Sequence, residues 1–597
     1  MVASNSTVAR RPLLAEPADY LIILLILGVA LITIGTWATG QLAGLLTHAR
    51  WPPVAFGRSF AVARELPHHL DNPKLAWPRT AQADLPGRAG FAVSGALVLS
   101  GLVALAVAVF RLANRGRSVR GFASTAQLDR AMSARAVVRR GATVRPSLRG
   151  AKIRPPDVAV LLGRAVSGTL LWAVVESSVI VLAAPRQGKT SQVVIPWLRS
   201  WNGPALVTSI RPDVLTNTVL LRRSRGPVLV MAPTGMVDWP DQVQWSPTSG
   251  CEDFGKAMER ADVMVTVGKS ETSTDSSGAG YFGLTATSLL AAWLHTAALT
   301  GRTMAHVLEW GFNASLDESV KLLAKAPGAE PGIAKMLDSL YRNPSETRSN
   351  LFTTVQTALT PLFSSAAKRT FVPDEGDGLD IEQWLRAGGT IYLLVKDKQA
   401  KALAPLTSAF VDEVIETATR IANESPGGRL DPPLGLLLDE VANVSPLPHL
   451  PELISFAGGT GIFVLAILQS QAQARKCWGI DGAEMLWGSA TIKVALGGLS
   501  GKELDAFSDL AGTYREFLTT YQAGPHGTTV QTTLQDRKTL TPEEIRVLDE
   551  LDREALVIHA TTPAVKVRME RHYEGPDRDA YAESVAWADN YRRGKTV

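Results

Sequence analysis

Two short motifs, each following an apolar run, constrain the fold of this 597-residue chain more than any other feature. The apolar run 179–182 leads into residues 183–191, and the run 434–438 leads into Asp439 and Glu440. Uninterrupted apolar runs of this length are typical of strands buried in a parallel sheet. Open α/β sheets bind ligands outside the carboxyl ends of their strands. We therefore expect both motifs at one ligand-binding edge of a mostly parallel sheet.

The first motif is similar to a phosphate-binding loop. In such a loop backbone N–H groups point at phosphates, Lys189 adds a positive charge, and the Thr190 hydroxyl can bind Mg²⁺. Ala183 stands where the usual pattern has its first glycine, and alanine restricts any position that needs a positive φ. A Gly-Lys-Thr triplet after a strand can also be a simple turn into a helix. The predicted nucleotide-binding residues are Ala183, Ala184, Pro185, Arg186, Gln187, Gly188, Lys189, Thr190 and Ser191.

The second motif supplies two adjacent carboxylates. In nucleotide hydrolases an Asp in this position holds Mg²⁺, and we predict that role for Asp439, with Glu440 polarising the attacking water. An acidic pair after a strand can instead cap the next helix and favour its dipole. A nucleotide site explains both motifs and the apolar runs before them. The leading interpretation is therefore an enzyme that binds ATP and Mg²⁺ and hydrolyses the nucleotide.

Two uncharged segments near the start of the chain predict transmembrane helices. Segments 20–46 and 89–110 each exceed the roughly 20 residues that span a bilayer. A cleaved signal peptide is the alternative for the first, but its apolar region would be only about 7–15 residues long. A buried core helix is the alternative for the second, but such a helix rarely lacks charge on every face.

The distribution of arginine predicts how the chain sits in the membrane. Residues 111–149 contain ten arginines and a single acid, and basic residues favour the cytoplasmic side. Arg10 and Arg11 agree, so we expect a cytoplasmic segment 1–19, an extracytoplasmic loop 47–88 and a large cytoplasmic C-terminal part. The arginine-rich stretch can also touch anionic lipid headgroups. The chain's two cysteines, Cys251 and Cys477, fit packing roles in a reducing compartment.

Strand-like runs alternate with helical stretches from about residue 165 onward. This alternation predicts a parallel sheet covered on both faces, interrupted where helical patterns dominate. The predicted divisions are a basic connector 111–164, a nucleotide-binding domain over 165–251 and 386–575, an inserted all-α domain over 252–385, and a tail 576–597. Ser270 to Gly280 is rich in Ser, Thr and Gly, which predicts a flexible loop.

Six segments in this order resemble the coupling proteins of type IV secretion and bacterial conjugation, of the TraG/TraD kind. The resemblance covers the two apolar segments and most of residues 120–575. Ser209 and Arg211 depart from the family's usual Asp and Lys. The matching segments are Val193–Pro196, Val207–Asp213, Trp245–Pro247, Ser349–Thr354, Gln469–Gln473 and Arg537–Ile545.

The resemblance implies a RecA-like P-loop ATPase, anchored in the bacterial inner membrane by several spans and assembled as a homo-hexamer. Its expected partners are DNA, expected to be single-stranded, the relaxase bound to it, protein effectors, and the type IV secretion channel. Within the site we predict that Lys189 binds the β- and γ-phosphates and that Gln469 senses the γ-phosphate. Gln469 could also be only a cap or turn residue. Arg475 is a candidate arginine finger, although a solvated helix arginine is the more common situation.

Two other functions remain open at the level of sequence. A duplex DNA translocase of the FtsK kind would share the membrane tether and the ATPase. A non-catalytic membrane receptor would use nucleotide only as a structural ligand. DNA-stimulated ATP turnover would separate these alternatives.

Overall fold

The computed structural model describes residues 17–114, 121–269, 279–374, 378–524 and 527–594. It divides into two compact units, residues 1–117 and 118–597. Most of the predicted N-terminal cytoplasmic segment and of the predicted loop Ser270–Gly280 lies outside the described residues.

The N-terminal unit is built on two long helices. They are α1 (Pro17–His48) and α3 (Arg88–Asn114), with the short α2 (Ser59–Glu65) between them. The segments Gly28–His48 and Arg88–Val109 are long and apolar enough to cross a membrane. The intervening segment, predicted only as a loop, also contains several 3₁₀ turns. A small apolar cluster anchors it, made of Ala43, Val62, Trp77, Ala81, Leu85 and Phe91.

An eleven-stranded sheet organises the second unit. Its strand order is β2-β1-β13-β12-β9-β3-β8-β7-β4-β6-β5, and the seven strands from β9 to β5 are all parallel. The other four join in antiparallel fashion at one edge. The strands are β1 (Ala159–Ala165), β2 (Leu170–Val174), β3 (Val179–Leu182), β4 (Ala205–Ser209), β5 (Val228–Met231), β6 (Thr390–Leu394), β7 (Leu434–Leu438), β8 (Ile462–Leu468), β9 (Ile492–Leu496), β12 (Glu554–His559) and β13 (Thr562–Arg568).

Burial on both faces explains the apolar runs of the central strands. In β3, Ile180 and Leu182 belong to the core on one face, whereas Val179 and Val181 belong to the core on the other. Successive strand side chains point to opposite faces, so a strand covered on both sides has no position suited to a polar residue. The predicted parallel-sheet core of an α/β fold is confirmed.

Helices cover the sheet and form a separate group between β5 and β6. That group occupies most of the region predicted as all-α. It comprises α8 (Phe254–Gly268), α9 (Ala279–Leu299), α10 (Met304–Phe312), α11 (Glu318–Leu323), α12 (Ile333–Tyr341), α13 (Ser345–Leu359), α14 (Ser365–Phe371) and α15 (Ile381–Arg386). The remaining helices are α4 (Thr125–Ala131), α5 (Ala134–Val144), α6 (Ile195–Ser200), α7 (Asp213–Arg223), α16 (Asp397–Glu424), α17 (Val441–Val444), α18 (Leu450–Thr460), α19 (Gln471–Ser489), α20 (Lys502–Ala511), α21 (Pro542–Arg546) and α22 (Arg578–Arg592).

The antiparallel parts of the fold were not predicted. Strand β1 lies in the segment predicted as a basic connector, and β2 pairs with it across a turn that contains Gly168 in a left-handed conformation. A separate two-stranded hairpin follows α20, formed by β10 (Thr513–Gly524) and β11 (Gly527–Lys538). The structure is therefore a mixed sheet with a parallel core rather than a purely parallel one.

Candidate nucleotide-binding site

The loop after β3 adopts a compact turn that does not need glycine at its first position. Ala183 is fully buried, and its N–H donates to the Leu468 carbonyl at 3.1 Å, which continues the pairing of β3 with β8. The left-handed conformations of the loop fall on Arg186, with φ of 65°, and Gly188, with φ of 77°. Alanine at position 183 is thus compatible with the fold of this loop.

Lys189 begins the helical segment that follows the loop. A π-helical turn over Lys189–Val194 runs into α6. The Lys189 ammonium contacts the Glu440 carboxylate and lies 3.9 Å from Asp439 Oδ1. Burial lowers the pKa of Lys189, and the negative charges of Asp439 and Asp397 oppose that shift. The loop lysine and the acidic pair therefore meet, although about 250 residues separate them in sequence.

Asp439 is 2% exposed and sits at the end of β7. Its Oδ2 accepts a hydrogen bond from Thr190 Oγ1 at 3.3 Å, and its backbone carbonyl accepts one from Thr208 Oγ1 at 2.9 Å. Burial raises the pKa of Asp439 to about 6, against the opposing effects of Lys189 and Thr190. No described residue donates a hydrogen bond to its Oδ1. A buried carboxylate oxygen without a donor is suited to a cation.

Glu440 is 1% exposed and has a left-handed backbone, with φ of 55°. Gln469 Nε2 donates to both of its carboxylate oxygens at 3.0 Å. The N-terminal cap of α19 is Ser470, whose hydroxyl accepts from the Gln473 N–H at 3.2 Å. Gln469 is therefore not the cap of that helix, and its side chain is directed to the acidic pair.

Several neighbours of the acidic pair were not predicted as site residues. Asp213, at the start of α7, is close enough to contribute to the raised pKa of Asp439, and Asp397 acts on the pKa of Lys189. Ser209 is buried and accepts a hydrogen bond from the Arg211 N–H at 3.2 Å. Asp213 and Asp397 each follow a parallel strand, and that position is the signal that could have identified them.

The structure brings most of the predicted site together, and Arg475, a candidate finger for the site of a neighbouring subunit, is not part of this cluster. Lys189, Thr190, Asp439, Glu440 and Gln469 form one connected cluster. Arg475 is exposed on α19, and it forms no ion pair within the described part of the chain.

The cluster fits a Mg²⁺ ion held jointly with a nucleotide. No group of three or more His, Cys, Asp or Glu residues that could hold a metal occurs among the described residues. Mg²⁺ in nucleotide sites is commonly held by one or two protein oxygens together with phosphates and water. The Thr190 hydroxyl and the Asp439 carboxylate provide such a pair.

The comparison with family models matches the part of the chain that carries the acidic pair. Residues 433–550 match TraG-D_C, described as the TraM recognition site of TraD and TraG. The matched segment also contains Gln469. No curated protein sequence matches the chain.

Solved structures of a conjugative coupling protein share the fold. The unbound form of bacterial conjugative coupling protein TrwBdeltaN70 is 20% identical, with a TM-score of 0.52 over 68% of this chain and 88% of that one. TrwB in complex with ADP and Mg²⁺ is 20% identical, with a TM-score of 0.51 over 68% and 89%. TrwB with the GTP analogue GDPNP is 21% identical, with a TM-score of 0.50 over 66% and 86%. The predicted resemblance to TraG/TraD-like coupling proteins is confirmed.

Proposed function

We propose that this chain is a membrane-anchored ATPase of a conjugation or type IV secretion system, because it resembles the TraG/TraD-like coupling proteins in fold and in residues 433–550. It recruits relaxase-bound DNA, and protein effectors where these are substrates, and delivers them to the secretion channel. The observation that carries the proposal is the contact of Lys189 with Glu440 and of Thr190 with Asp439 at the carboxyl edge of the sheet. These groups suit ATP hydrolysis because side chains that can bind phosphate, Mg²⁺ and the attacking water lie in one place.

Each residue of the cluster has a distinct part in the proposed reaction. Lys189 exchanges its contact with Glu440 for the β- and γ-phosphate oxygens of ATP. Glu440 then faces the attacking water, while its hydrogen bonds with Gln469 keep it in position. The Glu440 carboxylate can therefore accept the water's proton. Thr190 and Asp439 would hold Mg²⁺, which would neutralise developing negative charge on the phosphates. The complex of TrwB with ADP and Mg²⁺ supports the choice of cofactors.

The proposed setting is the bacterial inner membrane, with the second unit in the cytoplasm. The two long apolar helices and the arginine-rich stretch after them support this orientation. We propose a homo-hexamer in which a neighbouring subunit completes the ATP site. The description of the matched family model as a TraM recognition site supports partners that act on the DNA to be transferred.

The test is ATP turnover by the full chain in detergent, with no DNA, single-stranded DNA or duplex DNA. We expect single-stranded DNA to raise the rate. Lys189→Ala should abolish turnover because the phosphates lose their charge partner. The control is Lys335→Ala, which removes an exposed lysine of α12 and should leave turnover unchanged.

Three results would contradict the proposal in different ways. Stimulation by duplex DNA alone would favour the FtsK-like translocase. Nucleotide binding without turnover would favour the receptor that uses nucleotide as a structural ligand. Turnover that survives Lys189→Ala would place hydrolysis at another site.

A further inference from the structure

A second cavity adjoins the helical segment that starts at Lys189, on residues that the ATP site does not use. It has a volume of about 640 Å³, within the usual range for small-ligand pockets. Gln192, Trp197 and Arg199, from the segment after the phosphate loop, form one wall. The edge strands β1 and β2 and the segment 568–577 form the others.

Arginine dominates the lining of this cavity. Seven arginines line it, against two acids, Glu570 and Asp577. Arg154, Arg553 and Arg571 are paired with acids outside the lining, namely Asp157, Glu574 and Glu550. Arg164, Arg225 and Arg568 form no ion pair among the described residues. The lining therefore carries a surplus of positive charge.

Two of the unpaired arginines lie directly opposite each other across neighbouring strands. Arg164 of β1 and Arg568 of β13 are register partners in the antiparallel pair. Like charges in this arrangement destabilise a sheet. Glu554, the register partner of Arg568 on its other side, forms an ion pair with Lys566 at 2.9 Å instead. An anion between the two arginines would relieve the repulsion.

The walls also hold N–H donors without acceptors. The Nε atoms of Arg199, Arg553 and Arg571 and the indole Nε1 of Trp172 are buried and have no partner among the described residues. Unsatisfied buried donors are rare in folded proteins because each costs free energy. A ligand rich in acceptor oxygens would balance such a wall.

We propose that this cavity binds a phosphate-bearing small molecule. Arginine suits phosphate because its planar guanidinium donates two parallel hydrogen bonds to it, and seven arginines surround the cavity. The apolar side chains of Leu161, Leu170 and Trp172 offer a surface for the non-phosphate part of the ligand. The cavity is a separate site from the phosphate loop, since no residue of 183–191 lines it.

The test uses pyrophosphate as the probe in titration calorimetry on the full chain in detergent. The wild-type protein should show two sites, one at the phosphate loop and one in the cavity. Arg164→Gln/Arg568→Gln should weaken the cavity site at least tenfold and leave the other. The matched control is Arg135→Gln/Arg139→Gln, which removes two exposed arginines outside the cavity and should retain both sites.

Removal of the arginine pair should not lower the thermal unfolding midpoint of the ligand-free protein, because the change removes a repulsion. That measurement separates loss of binding from loss of folding. Displacement of pyrophosphate from the cavity by AMP would assign the site to nucleotides, and displacement by glycerol phosphate would assign it to lipid headgroups. Either result supports a phosphate site.

Unchanged binding in Arg164→Gln/Arg568→Gln would overturn the proposal. So would a wild-type protein with a single site that Lys189→Ala removes. If Lys189→Ala removes neither site, the result counts against the proposed ATP site and leaves the cavity assignment unaffected. A third result would also overturn it: the cavity binds no pyrophosphate, and Arg164→Gln/Arg568→Gln weakens self-association. In that case the cavity binds an acidic segment of a second copy of the chain, not a small molecule.

Discussion

Glu440→Gln is the change that separates nucleotide binding from hydrolysis most cleanly. Glutamine preserves the shape of a side chain that is 1% exposed, so no cavity forms. Its amide oxygen can still accept from Lys189. Its amide nitrogen then faces Gln469 Nε2, the donor that lies 3.0 Å from both carboxylate oxygens. A rotation of the Gln469 amide restores a donor–acceptor pair, so the folded site should persist.

The expected loss is in the rate of the chemical step. A positioned general base contributes about 10²–10⁴-fold. This range corresponds to roughly 3–5 kcal/mol of activation free energy. Nucleotide affinity should change little, because Lys189 keeps its charge and a neutral amide oxygen competes for that charge less strongly than a carboxylate does. Single-turnover hydrolysis and equilibrium ATP binding measure the two quantities separately.

The matched control is Glu176→Gln. Glu176 is a half-buried carboxylate that pairs with Arg429 at 2.7 Å, and it precedes β3 at the opposite edge of the sheet from the site. Its replacement should leave the hydrolysis rate unchanged. A Glu440→Gln protein that turns over ATP at nearly the wild-type rate would refute Glu440 as the base.

Three further predictions concern the metal, the membrane and pH. Thr190→Val removes the hydroxyl that lies 3.3 Å from Asp439 Oδ2, so half-maximal turnover should require at least tenfold more Mg²⁺, measured at saturating ATP; an unchanged Mg²⁺ requirement would exclude Thr190 as a ligand. A membrane-impermeant maleimide added to whole cells should label Arg58→Cys but not Arg135→Cys, both exposed positions, and equal labelling would refute the two-span topology. Burial and the charge of Glu416 raise the pKa of Asp412 to about 7, above its ordinary value of 3.8. The folded state therefore binds more protons at Asp412, and the contribution of this residue to the free energy of unfolding should fall as pH rises from about 4 to 7, by up to roughly 4 kcal/mol. Denaturant unfolding of fragment 118–597 at pH 4 and pH 7 should show that the difference in stability between the wild type and Asp412→Asn changes over this range; an identical pH dependence in both proteins would exclude a role for Asp412.

The central strands could be predicted from sequence because their environment is uniform. Strands β3, β7 and β8 are covered on both faces, so their apolar runs are uninterrupted and easily recognised. The hairpin of β10 and β11 lies outside the main sheet, and Thr, Gln, Arg and Glu residues there give no apolar run. Its pairing, and the addition of β1 and β2 to the sheet edge, depend on contacts between distant segments.

The site was predicted from two local motifs, each made of consecutive residues. Its additional members lie outside these motifs and were therefore missed. Lys189 and Asp439 stood out because each follows an apolar strand within a familiar pattern. Asp213 and Asp397 also follow strands, but only the strand order brings them beside that pair. Ala183 could not be judged from sequence, since only the backbone shows that the left-handed positions are Arg186 and Gly188.

The most direct test of the proposed ATPase is a measurement of ATP turnover per subunit as a function of protein concentration, with and without single-stranded DNA. The measurement uses fragment 118–597, which forms a compact unit. Without DNA we expect a mostly monomeric, slow enzyme, because in the proposed hexamer a neighbouring subunit completes the site. DNA should promote assembly and raise the rate, and added salt should oppose it steeply, since phosphate contacts dominate such binding. The account predicts a rate per subunit that rises with concentration and rises further with DNA. A rate that stays flat across concentration and does not respond to DNA would contradict it.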